Sequence, residues 1–250
     1  SLHFLLIMLV ILFLLPFIFL MVNSLKTPPE VGAYPFRFFP KVPIWQNYIG
    51  AFTKLSSTVP YISFVSRSLT LAVIFTIPML ISSAFIGFGF ARLNAPGRNF
   101  LFILLLAMMM VPGLVTIIPQ FVLYFRLGIY GTYWPWFLWG LVGNSFNIFL
   151  FRQFFANFPK ELEDAAEIDG CNPLQTFFLI FLPNSGPVIA TVAIFSFQWI
   201  WGDYFTQSLL LKSSDTSATL AMRIFNAYTD VRGNPILPLN YAGIVVYIIP

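Results

Sequence analysis

Long apolar runs alternate with short polar links along this chain, and the runs are apolar on every face rather than along one stripe. From Leu2 to Val22 the one strongly polar side chain is His3. A helix that is hydrophobic all round belongs in lipid or in a large core, and roughly 20 such residues are needed to cross about 30 Å of hydrocarbon. The pattern places spans at Leu2 to Val22, Tyr61 to Phe90, Phe100 to Leu123, Trp134 to Phe151 and Pro187 to Leu211, with a sixth, incomplete one over 240–250. Lipid offers backbone N–H and C=O groups no partners, so each span is predicted to be a helix. The expected fold class is all-α: a polytopic membrane protein with six transmembrane helices, forming one domain over residues 1–250.

Within these spans, Pro16, Pro78, Pro112 and Pro119 remove ladder hydrogen bonds and predict kinks, two of them in the third span, which contains Met108-Met-Met-Val-Pro-Gly113 followed by Pro119. Gly87 and Gly89 predict close approach of a neighbour to the second span. The first large polar segment, Asn23 to Pro60, carries Pro28, Pro29, Pro35, Pro40, Pro43 and several aromatics, and reads as an ordered or extended loop. Lys212 to Leu239 is the other, expected on the same side.

Composition sharpens this picture. Of the 250 residues 58% are hydrophobic and 9% charged, against roughly 25% charged in soluble domains, so a bilayer is the solvent. The net charge of +4 is scattered, which argues against a nucleic-acid surface. A single cysteine, Cys171, excludes an internal disulfide framework. His3 has no carboxylate or cysteine companions that would make a metal or general-base site. There is no Gly-Lys-Ser/Thr phosphate loop, so the chain is not itself an ATPase, and no Ser with His, paired Asp or metal-ligand cluster sits in the spans. No enzymatic activity and no cofactor are expected.

One polar island stands out. Five of the nine acids, Glu161, Glu163, Asp164, Glu167 and Asp169, fall between the fourth and fifth spans. Pro159 suits the first position of a helix, the acids complement the positive end of its dipole, and Gly170 fits the left-handed residue that ends it. Asn172 and Pro173 open a second helix, Leu174 to Leu182, which Pro183 is expected to close. Leu162 and Ala166 share a side of the first helix.

The run Asp164-Ala-Ala-Glu-Ile-Asp-Gly170, followed by Phe177, Ile180 and Leu182-Pro183, resembles the EAA loop of ABC importer permeases, with Asp164 where Glu is usual. Phe38-Phe-Pro40, Asn47-Tyr48, Ala91-Arg-Leu93 to Pro96-Gly-Arg98, Val111-Pro-Gly113, Ile118-Pro119, Leu127-Gly128 and Trp201-Gly-Asp-Tyr204 extend the resemblance to the carbohydrate-uptake branch, the maltose-type smaller permease. Gly202 departs from that branch, where Asn is usual.

The resemblance implies a multi-pass subunit in a bacterial inner or plasma membrane. It implies a second permease subunit, two cytoplasmic ATPase subunits and an external solute-binding protein as partners. The implied cargo is a sugar, oligosaccharide or polyol-type glycoside, with a glycerol-phosphate-type solute as the alternative within the branch. An ion-coupled secondary transporter is the rival class, but it needs ionisable groups at mid-span, and Arg67, Arg126, Arg152 and Asp203 all lie near span ends. On the resemblance, Glu161, Glu163, Asp164, Ala165, Ala166, Asp169 and Gly170, within a coupling region over 159–183, engage the ATPase on the cytoplasmic side. The basic residues vote otherwise: Arg92, Arg98, Arg152 and Lys160 fall on the island's side and nine on the other, which by charge alone puts the island outside.

Polar groups within spans are the second constellation. Asn144 and Asn147 in the fourth span, and Gln198, Trp199, Trp201 and Asp203 in the fifth, offer hydrogen bonds and aromatic faces to a solute path. The same residue types also hold helices together or sit at the membrane interface, and the sequence leaves both roles open.

Overall fold

The computed structural model describes residues 2–56, 59–212, 214, 216–225, 228 and 235–248, and every regular element among them is helical. The chain runs α1 (Leu2–Ser24), α2 (Pro28–Val31), α3 (Gln46–Thr53), α4 (Tyr61–Arg92), α5 (Arg98–Met108), α6 (Gly113–Arg126), α7 (Trp134–Val142) and α8 (Ser145–Ala156). It continues through α9 (Glu161–Ile168), α10 (Pro173–Thr176), a π-helical turn (Phe177–Phe181), a 3₁₀ turn (Pro183–Ser185), α11 (Gly186–Gly202), α12 (Phe205–Leu210), α13 (Leu220–Phe225) and α14 (Leu237–Ile248). Two compact units emerge, residues 1–68 with 213–250 and residues 69–212. Of the second large polar segment, expected over 212–239, residues 213, 215, 226–227 and 229–234 lie outside the described residues.

Among the described residues two helices, α1 and α4, are long and apolar enough to cross a membrane. Two more spans of that quality exist only as bent pairs: α5 with α6 at 95°, and Pro173–Phe181 with Pro183–Gly202 at 46°. The third span is therefore bent once, at Met109 to Pro112, rather than twice; Pro16, Pro78 and Pro119 all sit within continuous helices. The fourth is interrupted at Gly143 and Asn144, and the fifth ends at Gly202 before the short α12.

In the first unit the segment after α1 is ordered by buried polar groups, as its prolines and aromatics suggest. Lys26, 1% exposed, donates from Nζ to Asn23 Oδ1 at 2.9 Å and to the Arg37 carbonyl at 2.7 Å, and lies over the Phe36 ring. Asn47 Nδ2 donates to the carbonyls of Ser24 and Lys26, and Tyr48 Oη meets Ser24 Oγ at 2.8 Å. These bonds replace the water that the buried ammonium and carbonyls lose. Phe19 of α1 packs edge-on against Tyr241 of α14, and Tyr228 Oη donates to the Ala51 carbonyl at 2.7 Å.

The second unit is built on a phenylalanine-rich core: Ala84 and Phe88 of α4, Phe151 and Phe155 of α8, Phe177 and Phe181 of the π turn, and Val188 and Val192 of α11. Gly87 lets α8 in close. A Cβ there would stand 2.6 Å from Phe151 Cβ and 3.0 Å from the Arg152 nitrogen. Gly89, by contrast, meets only Leu93 Cδ1 of its own helix end, at 3.9 Å. Replacing Gly87 with Leu forces α4 and α8 apart, an overpacking worth about 1–3 kcal/mol. The variant should denature several degrees earlier in detergent, whereas Gly89→Ala should match or slightly exceed the parent, since alanine is the better helix former. Equal melting of the two variants would refute this packing.

Candidate functional site

The acidic island folds as the short helix α9, although Pro159 precedes it by two residues and Lys160 occupies the cap position. The helix ends in a Schellman arrangement: Cys171 N donates to the Ala166 carbonyl at 2.9 Å and Gly170 N to that of Glu167 at 3.0 Å. Gly170 takes φ +79°, and open space surrounds the position of a Cβ. What demands glycine here is thus left-handed backbone, worth roughly 1–2 kcal/mol against other residues, rather than crowding within the chain. Asn172 and Gln175 then cap α10 reciprocally.

Pro183 ends the second helix as the pattern suggested, the run Pro173–Phe181 giving way there to the 3₁₀ turn across a 46° bend, but the last turn of that helix is not α. A proline cannot donate to the carbonyl four residues back, so the chain widens by one residue, Leu182 N reaching the Phe177 carbonyl at 2.9 Å. The Ser185 hydroxyl takes up the Phe181 carbonyl at 2.5 Å, and the chain runs on into α11. A π turn is thus inserted at the foot of the fifth span.

Around α9 the residues sort by face. Glu161, Asp164, Ala165 and Ile168 point outward, with Asp169 and Gly170 exposed at the turn, and Ile168 is 85% exposed. Ala166 is buried, and Glu163 turns back toward the protein, where its carboxylate meets Arg92 at 3.0 Å. Arg92, at the last position of α4, also donates to the carbonyls of Phe155 and Phe158 and lies over the Phe181 ring, 5.2 Å from its centre. One guanidinium therefore joins the ends of α4 and α8, the helix α9 and the π turn, using its fork of donors as lysine could not.

Between these helices and the other end of the second unit lie two cavities. The larger, of about 620 Å³, is bounded by Phe75 and Met79 of α4, Tyr124 of α6, Asn144 and Asn147 around the break before α8, and Phe195 and Ser196 of α11. The smaller, of about 470 Å³, is bounded by Gly113 and Thr116 of α6, Asp203, Phe205 and Thr206. Gln120, Trp139 and Trp199 belong to both walls. Trp199 packs on Phe75 at 5.2 Å and on Trp139 at 6.3 Å, and Tyr124 meets Trp139 at 6.1 Å, giving an aromatic wall. Asn147 Nδ2 donates to Ser196 Oγ at 3.3 Å, tying α8 to α11.

The structure thus brings Asn144, Asn147, Trp199 and Asp203 to the cavities, while Gln198 is exposed and Trp201 is buried against Phe197, neither on a cavity wall. Gln120, Tyr124, Trp139 and Ser196 were missed as wall residues. For Gln120 a signal existed, since an amide in the middle of an apolar span is a suspect on its own.

Comparison with known proteins decides the family. Residues 83–249 match the model of the binding-protein-dependent transport system inner membrane component. The chain belongs to that family. Protein LplC of Bacillus subtilis is 32% identical over 201 residues, covering 80% of this chain and 66% of LplC. The arabinooligosaccharides transport system permease protein AraQ of Halalkalibacterium halodurans is 32% identical over 213 residues, covering 85% of this chain and 74% of AraQ. The fold matches a chain of a bacterial ABC transporter involved in the import of the acidic polysaccharide alginate, with a TM-score of 0.81 at 21% identity, over 99% of this chain and 90% of that one. The protein is accordingly an inner-membrane, multi-pass permease component of a binding-protein-dependent ABC importer, and a non-catalytic one.

In this permease the Arg92 cluster should hold α9 in place. Breaking a buried ion pair costs about 3–5 kcal/mol, reduced here to about 2 because Glu163 is 27% exposed. Arg92→Gln should therefore raise the rate of trypsin cleavage at Lys160 in the purified protein by about tenfold or more. An unchanged rate would mean that α9 is held by other contacts.

Proposed function

We propose that this permease carries a sugar, oligosaccharide or polyol-type glycoside, and that α9 with its glycine turn docks into a cytoplasmic ATPase subunit. The observation that carries the docking reading is the division of α9 into two faces. Ala166 and Glu163 are spent on the protein itself, while Glu161, Asp164, Ala165 and Ile168 stand free at the end of a rigid core. A nearly fully exposed isoleucine beside acidic groups suits a surface that a partner covers. The partners in this reading are two ATPase subunits, a second permease and an external solute-binding protein. In this reading the membrane is crossed six times: by α1 and α4, by the bent α5–α6 and Pro173 to Gly202 runs, and also by α7 with α8 and by the shorter α14.

The carbohydrate reading rests on relatives and on chemistry. AraQ is named for arabinooligosaccharides, and the cavity walls combine tryptophan faces with amides and hydroxyls, which suit sugar rings and their hydroxyl groups. Closure of the ATPases moves α9, and Arg92 and the phenylalanine core hand that motion to α4, α8 and α11, which carry Phe75, Asn147, Ser196 and Trp199 on the cavity wall.

Two experiments test this. Gly170→Val forces a β-branched residue into left-handed backbone and adds bulk to the exposed turn, so the ATPase should no longer copurify with the permease from detergent extracts, while the variant still inserts in the membrane. Retention of the ATPase at parental yield would remove the docking role. Cys171, the one cysteine, should react with a membrane-impermeant maleimide in inside-out vesicles and not in intact cells. Labelling from outside alone would reverse the orientation and end this reading.

A further inference from the structure

In the first unit, α3 is turned inside out. Gly50 and Ala51 form its buried face: a Cβ on Gly50 would stand 2.6 Å from Leu239 Cδ2 of α14, and the Ala51 carbonyl is taken by Tyr228 Oη. Trp45, Ile49 and Phe52 recur at i, i+4 and i+7 and are all exposed, the first two at 65%. Helical spacing puts the middle of this apolar stripe about 180° from Gly50 and Ala51. On a helix bathed in water that direction carries charged and polar side chains. Phe39 and Val42, also exposed, enlarge the apolar surface on the approach to α3.

The end of α1 fixes the depth at which this face lies. Ile44 N donates to the Leu25 carbonyl at 2.9 Å, and Asn47 Nδ2 and Tyr48 Oη reach Ser24, so the start of α3 is level with the last turn of α1. The 23 residues of α1 make about 34 Å of helix, enough to cross about 30 Å of hydrocarbon and to end among the head groups. Aromatic contacts carry the surface outward from the exposed flank of α1: Phe36 stacks on Phe19 at 6.3 Å, and Phe38 meets Phe36 at 6.5 Å and Phe39 at 5.1 Å. Aromatic side chains favour this boundary between acyl chains and water. The charges agree with it. Residues 31–54 carry Arg37, Lys41 and Lys54, all exposed, and no acid.

We propose that α3 is an interfacial helix whose Trp45, Ile49 and Phe52 face lies at the boundary of the acyl chains, and that anionic phospholipid is its partner, with head-group phosphates drawn to Arg37, Lys41 and Lys54. A receptor that comes and goes would leave the stripe bare in water between visits, whereas lipid covers it throughout. This goes beyond the docking and cargo readings and depends on neither.

The test uses the assembled transporter in phosphatidylcholine nanodiscs and reads Trp45 as the difference in fluorescence between the parent and Trp45→Phe. Two quenchers are compared: lipid brominated on the acyl chain near the glycerol, and acrylamide in the water. Brominated lipid should quench Trp45, and acrylamide should act on it at least about threefold more weakly than on free tryptophan. Brominated phosphatidylglycerol, at about one fifth of the lipid, should quench about twofold more than brominated phosphatidylcholine at the same fraction. Arg37→Gln, Lys41→Gln and Lys54→Gln combined should erase that excess and keep the quenching by brominated phosphatidylcholine, which also shows that the variant is folded and seated. Strong acrylamide quenching without lipid quenching, or screening of Trp45 from both quenchers as a covering protein would produce, overturns the interfacial helix. Equal quenching by the two brominated lipids in the parent, or an excess unchanged in the triple variant, overturns the assignment of anionic phospholipid to these basic residues.

Discussion

A chain in lipid must satisfy its own backbone, and this requirement decides where the helices of the second unit can break. After Val142 the ladder fails at Gly143. The Asn144 side chain then accepts from Phe146 N, and Ser82 Oγ, reaching across from α4, donates to the Gly140 carbonyl at 2.6 Å. After Gly202, Asp203 accepts from Thr206 N, and Gln207 Nε2 donates to the Ile200 carbonyl at 2.6 Å. Before α11, Ser185 serves the Phe181 carbonyl. At each interruption a short polar side chain stands in for the missing backbone partner. The first two interruptions lie on the cavity walls, and so does Gly113, just after the 95° bend. Irregular backbone at membrane depth is tolerated where it is covered by protein or lines a cavity, so breaks and binding space arise together.

This explains what could and could not be read along the chain. The unbroken spans α1 and α4, the all-helical class and the glycine-ended acidic helix follow from local pattern: apolar length, dipole-matched acids and a left-handed turn at Gly170. The breaks do not, because they depend on a partner elsewhere. Pro78 and Pro119 look as disruptive as Pro112 in sequence, yet only Pro112 sits at a bend, next to Gly113. Gly143 carries φ +78°, and a Cβ there would stand 3.3 Å from the Ser82 and Ser83 hydroxyls, a demand visible only once α4 and α7 are packed together. Gln198 and Trp199 are neighbours in sequence, but α11 sends Trp199 to the cavity and leaves Gln198 exposed, since adjacent helical positions point about 100° apart.

Arg92 was likewise legible only as a basic residue to be counted. In the orientation argument it weighed as one positive charge near a span end. In the structure it is internal wiring, with its guanidinium 11% exposed and directed to Glu163 and the carbonyls that finish α8. Lys26 is similarly consumed by Asn23 and the Arg37 carbonyl. A rule that counts basic residues treats such side chains as free surface charges facing phosphate head groups. Burial by the protein changes what they mean, yet Arg92 and Lys26 stand on opposite sides of the tally, so discounting both leaves its excess on the side away from the island unchanged.

The route from α9 to the cavities depends on stiffness, and the interior supplies it. Phe88, Phe155, Phe177 and Phe181 stand 5.0–6.3 Å apart between ring centres, mostly edge to face, so a shift of one ring cannot be absorbed without moving its neighbours. Above that cluster Asn147 and Ser196 are bonded across α8 and α11 at the level of the larger cavity. The π turn lies beneath, where five residues carry a looser hydrogen-bond pattern than an α-helix. A push on α9 thus meets a rigid bundle of α4, α8 and α11 and a softer link through α10. The proposed closing motion divides accordingly: α4, α8 and the π turn, tied by Arg92 and the phenylalanine rings, move as one body with α9, and bending falls at the 46° break beside Pro183 at the foot of α11, whose far end carries Trp199 and Asp203.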